Sequence, residues 1–132
     1  TGNTGVNAIT GGTYAILADR LPEAERKDAW ERSFKAYSGL WKQQSGVLGV
    51  LPPHFKGELL GGMAMSAQRT GRVEVETEFL DRIIKTMPDS EYAVEAKAWK
   101  ADPKAAAKST TACLSCHDTG RLGVKIAELK KK

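Results

Sequence analysis

The chain has 132 residues but contains only two cysteines and two histidines. Two cysteines cannot build the multiple disulfides that stabilise many small secreted domains. A structural zinc site with four Cys or His ligands would need every one of these four residues. No apolar run approaches the roughly 18 to 20 residues that cross a bilayer as a helix, so no membrane-spanning segment is predicted.

The charge excess is also small. Twenty Lys and Arg stand against 16 Asp and Glu, which gives a formal net charge of +4. Nucleic-acid-binding domains are usually more basic, and here the aromatic residues are not interleaved with basic clusters, so no nucleic-acid partner is predicted. The positive excess either steers the protein toward an acidic protein partner or is only the small charge excess of an ordinary soluble surface. The lysines at 130–132 either extend that surface or complement the dipole of a final helix.

The first dozen residues are rich in Gly, Thr and Asn. We expect residues 1–12 to form a flexible segment on the surface and residues 13–132 to form one domain. The sequence begins without Met and with a polar stretch. We therefore expect an exported, periplasmic protein whose signal peptide has been removed, although a trimmed chain would begin in the same way.

The rest of the chain has mainly helical periodicity. Helices are predicted at Tyr14–Ala18, from Pro22 to Gln44, from His54 or Phe55, over 74–87, around Tyr92–Trp99, from Asp102 through the cysteines, and at 122–129. Residues 45–53 are predicted to interrupt the helical structure, because Pro52 and Pro53 disfavour a helical conformation at the residue before each of them. A short strand at Val73 and Val75 is the one alternative to an all-α fold.

Two features of these helices have more than one interpretation. Trp30, Phe34, Tyr37 and Trp41 recur at i, i+4, i+7 and i+11, so this row either packs the core or forms a wall for a cofactor. The adjacent glycines Gly61 and Gly62 either weaken their helix, at a cost of about 1 kcal/mol per Gly, or let a flat cofactor approach the backbone.

The strongest motif is Cys113-Leu114-Ser115-Cys116-His117, a C-x-x-C-H haem attachment signature. On a helix, positions i, i+3 and i+4 share one face, so both thiols and the imidazole point the same way. Cys113 and Cys116 can then form thioethers with the two haem vinyl groups, and His117 can bind the iron as its proximal ligand. The motif predicts one covalently attached haem c.

Other uses of a C-x-x-C pair fit less well. A zinc site would require Cys116 and the adjacent His117 in one tetrahedron, which strains the backbone. A thioredoxin-like redox pair expects a preceding strand, and the flanks here are helical. A disulfide across three helical residues would close too short a loop to stabilise the chain much.

A helical chain of this size with the motif near its end resembles the class II cytochromes c, the cytochrome c′ family. The local similarity extends to Asp118 and Arg121, where that family often has an acidic and a basic residue. The resemblance implies an all-α bundle of four to five helices enclosing one covalent haem. It also implies that the second face of the iron is open to small gases or, in low-spin members, filled by a Met from the first helix, which this chain lacks.

The second axial ligand is therefore the main open question. We expect the rest of the haem pocket to come from the 112 residues before Cys113. The donors available there are His54, Met63, Met65 and Met87, and His54 is preferred because Pro52 and Pro53 would hold it on a rigid approach. An open site is the alternative to all four.

Three functions follow from these choices. A six-coordinate iron predicts an electron carrier or the haem subunit of an exported redox complex, with a redox protein as partner and a homodimer as an alternative assembly. A five-coordinate iron predicts a protein that binds NO or CO, like cytochrome c′. A catalytic haem centre would need an acid or base near the iron, and only His54 is a candidate, so an electron-transfer protein is preferred to an enzyme.

Overall fold

The structure is a computed structural model, and it describes residues 4–102 and residue 104. The helices are α1 (Thr4–Arg20), α2 (Glu23–Gln44), α3 (Pro53–Arg69), α4 (Val73–Thr86) and α5 (Glu91–Ala101), with a 3₁₀ segment at Ser45–Val50. All regular structure in this part of the chain is helical, which confirms the predicted all-α class. The alternative strand at Val73 and Val75 is wrong, since both residues lie in α4. The helices predicted after Asp102 lie outside the described residues.

The structure corrects the expected form of residues 4–12, which belong to the first half of α1. Gly, Thr and Asn are weak helix formers, but tertiary packing overrides that preference here. Gly11 lies so close to the Tyr37 ring that a Cβ would be 2.9 Å from Cε2. The buried Ser33 hydroxyl donates to the Gly11 carbonyl oxygen over 2.8 Å. The small residues of α1 therefore permit close contact with α2.

The aromatic row of α2 packs into the protein core. Trp30 and Tyr37 are buried, and Phe34 and Trp41 are partly buried against the same cluster. Trp41 meets Phe79 of α4 edge to face, with ring centroids 4.9 Å apart. The core-packing interpretation of this row is confirmed.

Helix α3 is the centre of the described structure. Gly57 and all residues from 59 to 67 are buried. A helix that is apolar on every side must be covered on every side, and α3 packs against α4, α2 and α1. The ring of Tyr37 occupies the space beside Gly62, and the ring of Tyr92 from α5 occupies the space beside Gly57. A tyrosine ring thus fills the space at Gly62, where the sequence allowed a flat cofactor to approach the backbone.

The edge between α2 and α4 is held by arginines. Arg72 makes two hydrogen bonds to Glu31, of 3.1 and 3.0 Å, and its guanidinium lies 4.1 Å from the centroid of the Phe34 ring. Arg82 lies similarly over Trp41, at 4.8 Å. Such half-exposed pairs contribute only about 0.5 to 1 kcal/mol each. They fix the edge but do not dominate its stability.

Helix α5 begins with a side-chain cap. Ser90 Oγ accepts a hydrogen bond from the Ala93 amide over 3.2 Å. We expect Ser90→Ala to lower the free energy of unfolding by about 1 kcal/mol, because the amide loses its acceptor. Urea unfolding followed by far-UV circular dichroism measures the change. Ser90→Asp is the control, since aspartate caps equally well, and equal losses in both variants would contradict a capping role.

No helix in the described part of the chain is long and apolar enough to cross a membrane.

Candidate functional site

The motif residues Cys113, Cys116 and His117 lie outside the described residues. The structure does describe the start of the segment that carries them. Asp102 has an extended backbone, with φ −140° and ψ 101°, and its Oδ1 accepts a hydrogen bond from the Lys104 amide over 2.9 Å. This hydrogen bond is compatible with the N-cap predicted at Asp102. The helix that this cap would begin lies outside the described residues, so the cap stays a prediction.

His54 lies in the first turn of α3. Pro52 approaches the helix in an extended conformation, with φ −56° and ψ 146°, and Pro53 is the first helical residue. The His54 side chain is 64% exposed, and its Nε2 lies 3.7 Å from Oε2 of Glu58, one turn later. That separation is too long for a hydrogen bond. The imidazole ring is therefore largely exposed on the surface, beside the Glu58 carboxylate.

The three methionines have the opposite placement. Met63, Met65 and Met87 are all buried, and Met63 Sδ lies 4.0 Å from the Ser38 hydroxyl, a weak donor to sulfur. A buried thioether can bind an iron only if the surrounding core repacks. Met63 also lies nine residues after His54 in the same helix, about 14 Å along its axis at 1.5 Å per residue. These two donors therefore cannot bind one iron together.

The residues described by the structure contain no group of three or more His, Cys, Asp or Glu side chains that could hold a metal ion.

A groove of about 450 Å³ lies between α1 and α2, which sequence reasoning did not predict. It exists because Ala36 and Gly39 of α2 are small where they face α1. Arg32 lies at its side, where the hydrogen bond and charge of Asp28 raise the pKa of the guanidinium above its usual value. The groove is lined by Asn7, Thr10, Tyr14, Arg32, Lys35, Ala36 and Gly39. Its cations and hydrogen-bonding groups suit an anionic group, but the groove is open and shallow.

Comparisons of the chain with protein-family models, with curated proteins and with solved structures found no match. The functional conclusion therefore depends on the residues of this chain.

Proposed function

We propose that this protein is an exported c-type cytochrome that carries one covalent haem and transfers electrons, either as a carrier or as the haem subunit of a redox complex. The observation that carries the proposal is the C-x-x-C-H sequence at residues 113–117. The hydrogen bond from the Lys104 amide to Asp102 Oδ1, which is compatible with a helix N-cap, supports it. A helix that starts there and continues through the cysteines would put both thiols and the imidazole on one face.

The donor chemistry of the motif fits haem c better than a bare metal ion. Two thiols can form thioethers, and an imidazole is a common axial ligand. A four-ligand zinc site would need donors beyond the two thiols, and taking both Cys116 and the adjacent His117 into one tetrahedron would strain the backbone. When bound, haem iron supplies reversible one-electron transfer. In this chain Cys113 and Cys116 would hold the haem, and His117 would set the electronic state of the iron.

His54 is the distal ligand that the described structure favours. Its ring is exposed, so it could bind an iron without the core rearrangement that the methionines would require. The segment length also permits the contact. The starts of α3 and α5 lie at one end of the structure, where Tyr92 packs against Gly57. Thirteen residues lead from Lys104 to His117, about 20 Å if helical, and α5 itself is about 16 Å long. The motif can thus return to the end that holds His54.

Two imidazole ligands would favour electron transfer over gas binding, because both axial positions of the iron would be filled. The +4 charge and a redox protein partner with an acidic surface are consistent with this role. Export is part of the proposal because bacteria attach haem c outside the cytoplasmic membrane.

The optical spectrum of the ferrous protein tests the ligand. We expect a low-spin spectrum that CO does not change, because His54 and His117 would both bind the iron and would leave no position for CO. We expect His54→Ala to give a high-spin spectrum that shifts at once with CO. Met63→Leu is the matched control, since it removes a thioether at nearly constant volume and should leave the spectrum low-spin.

Three other results are informative. An immediate CO shift in the unaltered protein would favour the five-coordinate, gas-binding function. A spectrum that is unchanged in His54→Ala would remove His54 as ligand, and a change in Met63→Leu would assign the position to Met63.

A further inference from the structure

Helix α1 has an apolar row on its outer face. Val6 is 57% exposed, Ile9 71% and Leu17 43%, and the exposed Thr13 and half-buried Ile16 complete the row at spacings of three and four residues. We call these five residues the outer row of α1. The opposite face packs on α2 and α3.

The same helix carries no charged residue from position 4 to position 18. A surface helix normally has a polar face toward water, whereas a helix that is apolar on both faces is typically covered on both. The described part of the chain exposes four other large apolar side chains, and they lie on three other elements: Val47, Val50, Val73 and Val94. Among the residues that the structure describes, the outer row is therefore one uncovered face rather than a scatter of single residues.

The size of the outer row and the charge of α1 limit which kind of partner could cover this face. A stable interface between two protein copies uses about 20 to 30 residues on each side, and the outer row offers five. Association of two separate molecules also costs translational and rotational entropy. A segment of the same chain can bind without that cost, because it is already attached. Helices that lie in a membrane surface carry Lys and Arg on their polar face, and α1 has none before Arg20.

We propose that residues 121–132 of this chain pack on the outer row of α1. Within that segment Leu122, Ile126 and Leu129 recur at i, i+4 and i+7. In a helix they would form an apolar row about 10 Å long, enough to cover much of the outer row, which is about 16 Å long from Val6 to Leu17. Leu122 follows Lys104 by 18 residues, which span about 27 Å if helical and up to about 60 Å if extended. The length of the chain therefore permits the contact. The contact uses no residue of the C-x-x-C-H motif, so its test is separate from that of the haem.

Photo-crosslinking of the full chain, as purified, tests the contact. We expect Ile9→p-benzoylphenylalanine to crosslink, on illumination, to the tryptic peptides 122–125 or 126–130 of the same molecule, identified by mass spectrometry. The control places the same photoreactive residue at Val73, which is 66% exposed on α4, and should not crosslink to these peptides. A crosslink between two copies, a crosslink to another segment, or no crosslink would overturn the proposal.

A double-mutant cycle adds a measurement that does not depend on a bulky probe. We expect Ile9→Ala and Ile126→Ala each to lower the urea midpoint by roughly 0.5 M, because each removes part of one apolar contact. The double variant should lose less than the sum of the two. Val73→Ala should leave the midpoint unchanged. Strict additivity, or an Ile9→Ala midpoint equal to that of the unaltered protein, would overturn the contact.

Discussion

Replacing Cys113 and Cys116 together by Ser is expected to abolish covalent haem attachment. The two thiols are the only cysteines in the chain, so no other side chain can form a thioether with the vinyl groups. The measurement is peroxidase staining for haem after denaturing electrophoresis, combined with the intact mass of the exported protein. We expect the unaltered chain to keep its haem through denaturation and the double variant to lose all of it.

His117→Ala separates attachment from ligation. We expect this variant to retain some covalent haem, because both thiols remain, but to lose the low-spin spectrum, because the proximal imidazole is absent. Ser115→Ala changes the motif at a position without a haem donor and should behave like the unaltered protein. If the unaltered chain, expressed with export and haem supply, carried two reactive thiols and no haem, the cytochrome proposal would be wrong.

The helical framework could be predicted largely from local patterns. The predicted extent of α2 agrees with the structure because Pro22, the acidic first turn and the aromatic row all mark the same helix. The predicted breaks before α3 and after α4 also agree, since proline residues punctuate the chain there. These signals depend on neighbours in sequence, which a single sequence displays.

The first half of α1 could not be predicted in the same way. Its glycines, threonines and asparagine are weak helix formers, and the reason for the helix lies in another element, where Tyr37 and Ser33 of α2 contact Gly11. The environment of Gly62 could not be predicted either. The glycine indicates that another group packs close to the backbone, but only the fold identifies that group as the ring of Tyr37.

The candidate site shows the same difference between features that are local in the sequence and features that depend on the fold. The C-x-x-C-H motif is local and could be identified from five consecutive residues. The second ligand depends on which donors reach the surface. The sequence favoured His54 over the methionines because of Pro52 and Pro53, but it gave no measure of how deeply each donor is buried. The structure separates them, because His54 starts α3 on the surface whereas Met63 and Met65 lie in its buried middle.

Gly62→Ala is expected to be the most damaging single-methyl change in the described part of the protein. A Cβ at this position would lie 2.7 Å from Cδ1 of Tyr37 and closer still to Cε1 and Cζ. Tyr37 is itself almost fully buried and in contact with Gly11 on its other side, so the ring cannot move away without displacing α1. Alanine gains about 1 kcal/mol of helix propensity over glycine, but overpacking a rigid core outweighs that gain.

We therefore expect a net loss of about 2 to 4 kcal/mol in the free energy of unfolding, seen as a melting temperature lower by roughly 10 °C. Gly46→Ala is the matched control, because a Cβ there meets nothing within 4 Å, and its effect should be small. Combining Gly62→Ala with Tyr37→Leu should cost less than the sum of the two changes, since the smaller side chain gives up the space that the methyl group needs. Equal melting temperatures for Gly62→Ala and Gly46→Ala would mean that α3 and Tyr37 are not in close contact in solution, and the central position of α3 would then have to be revised.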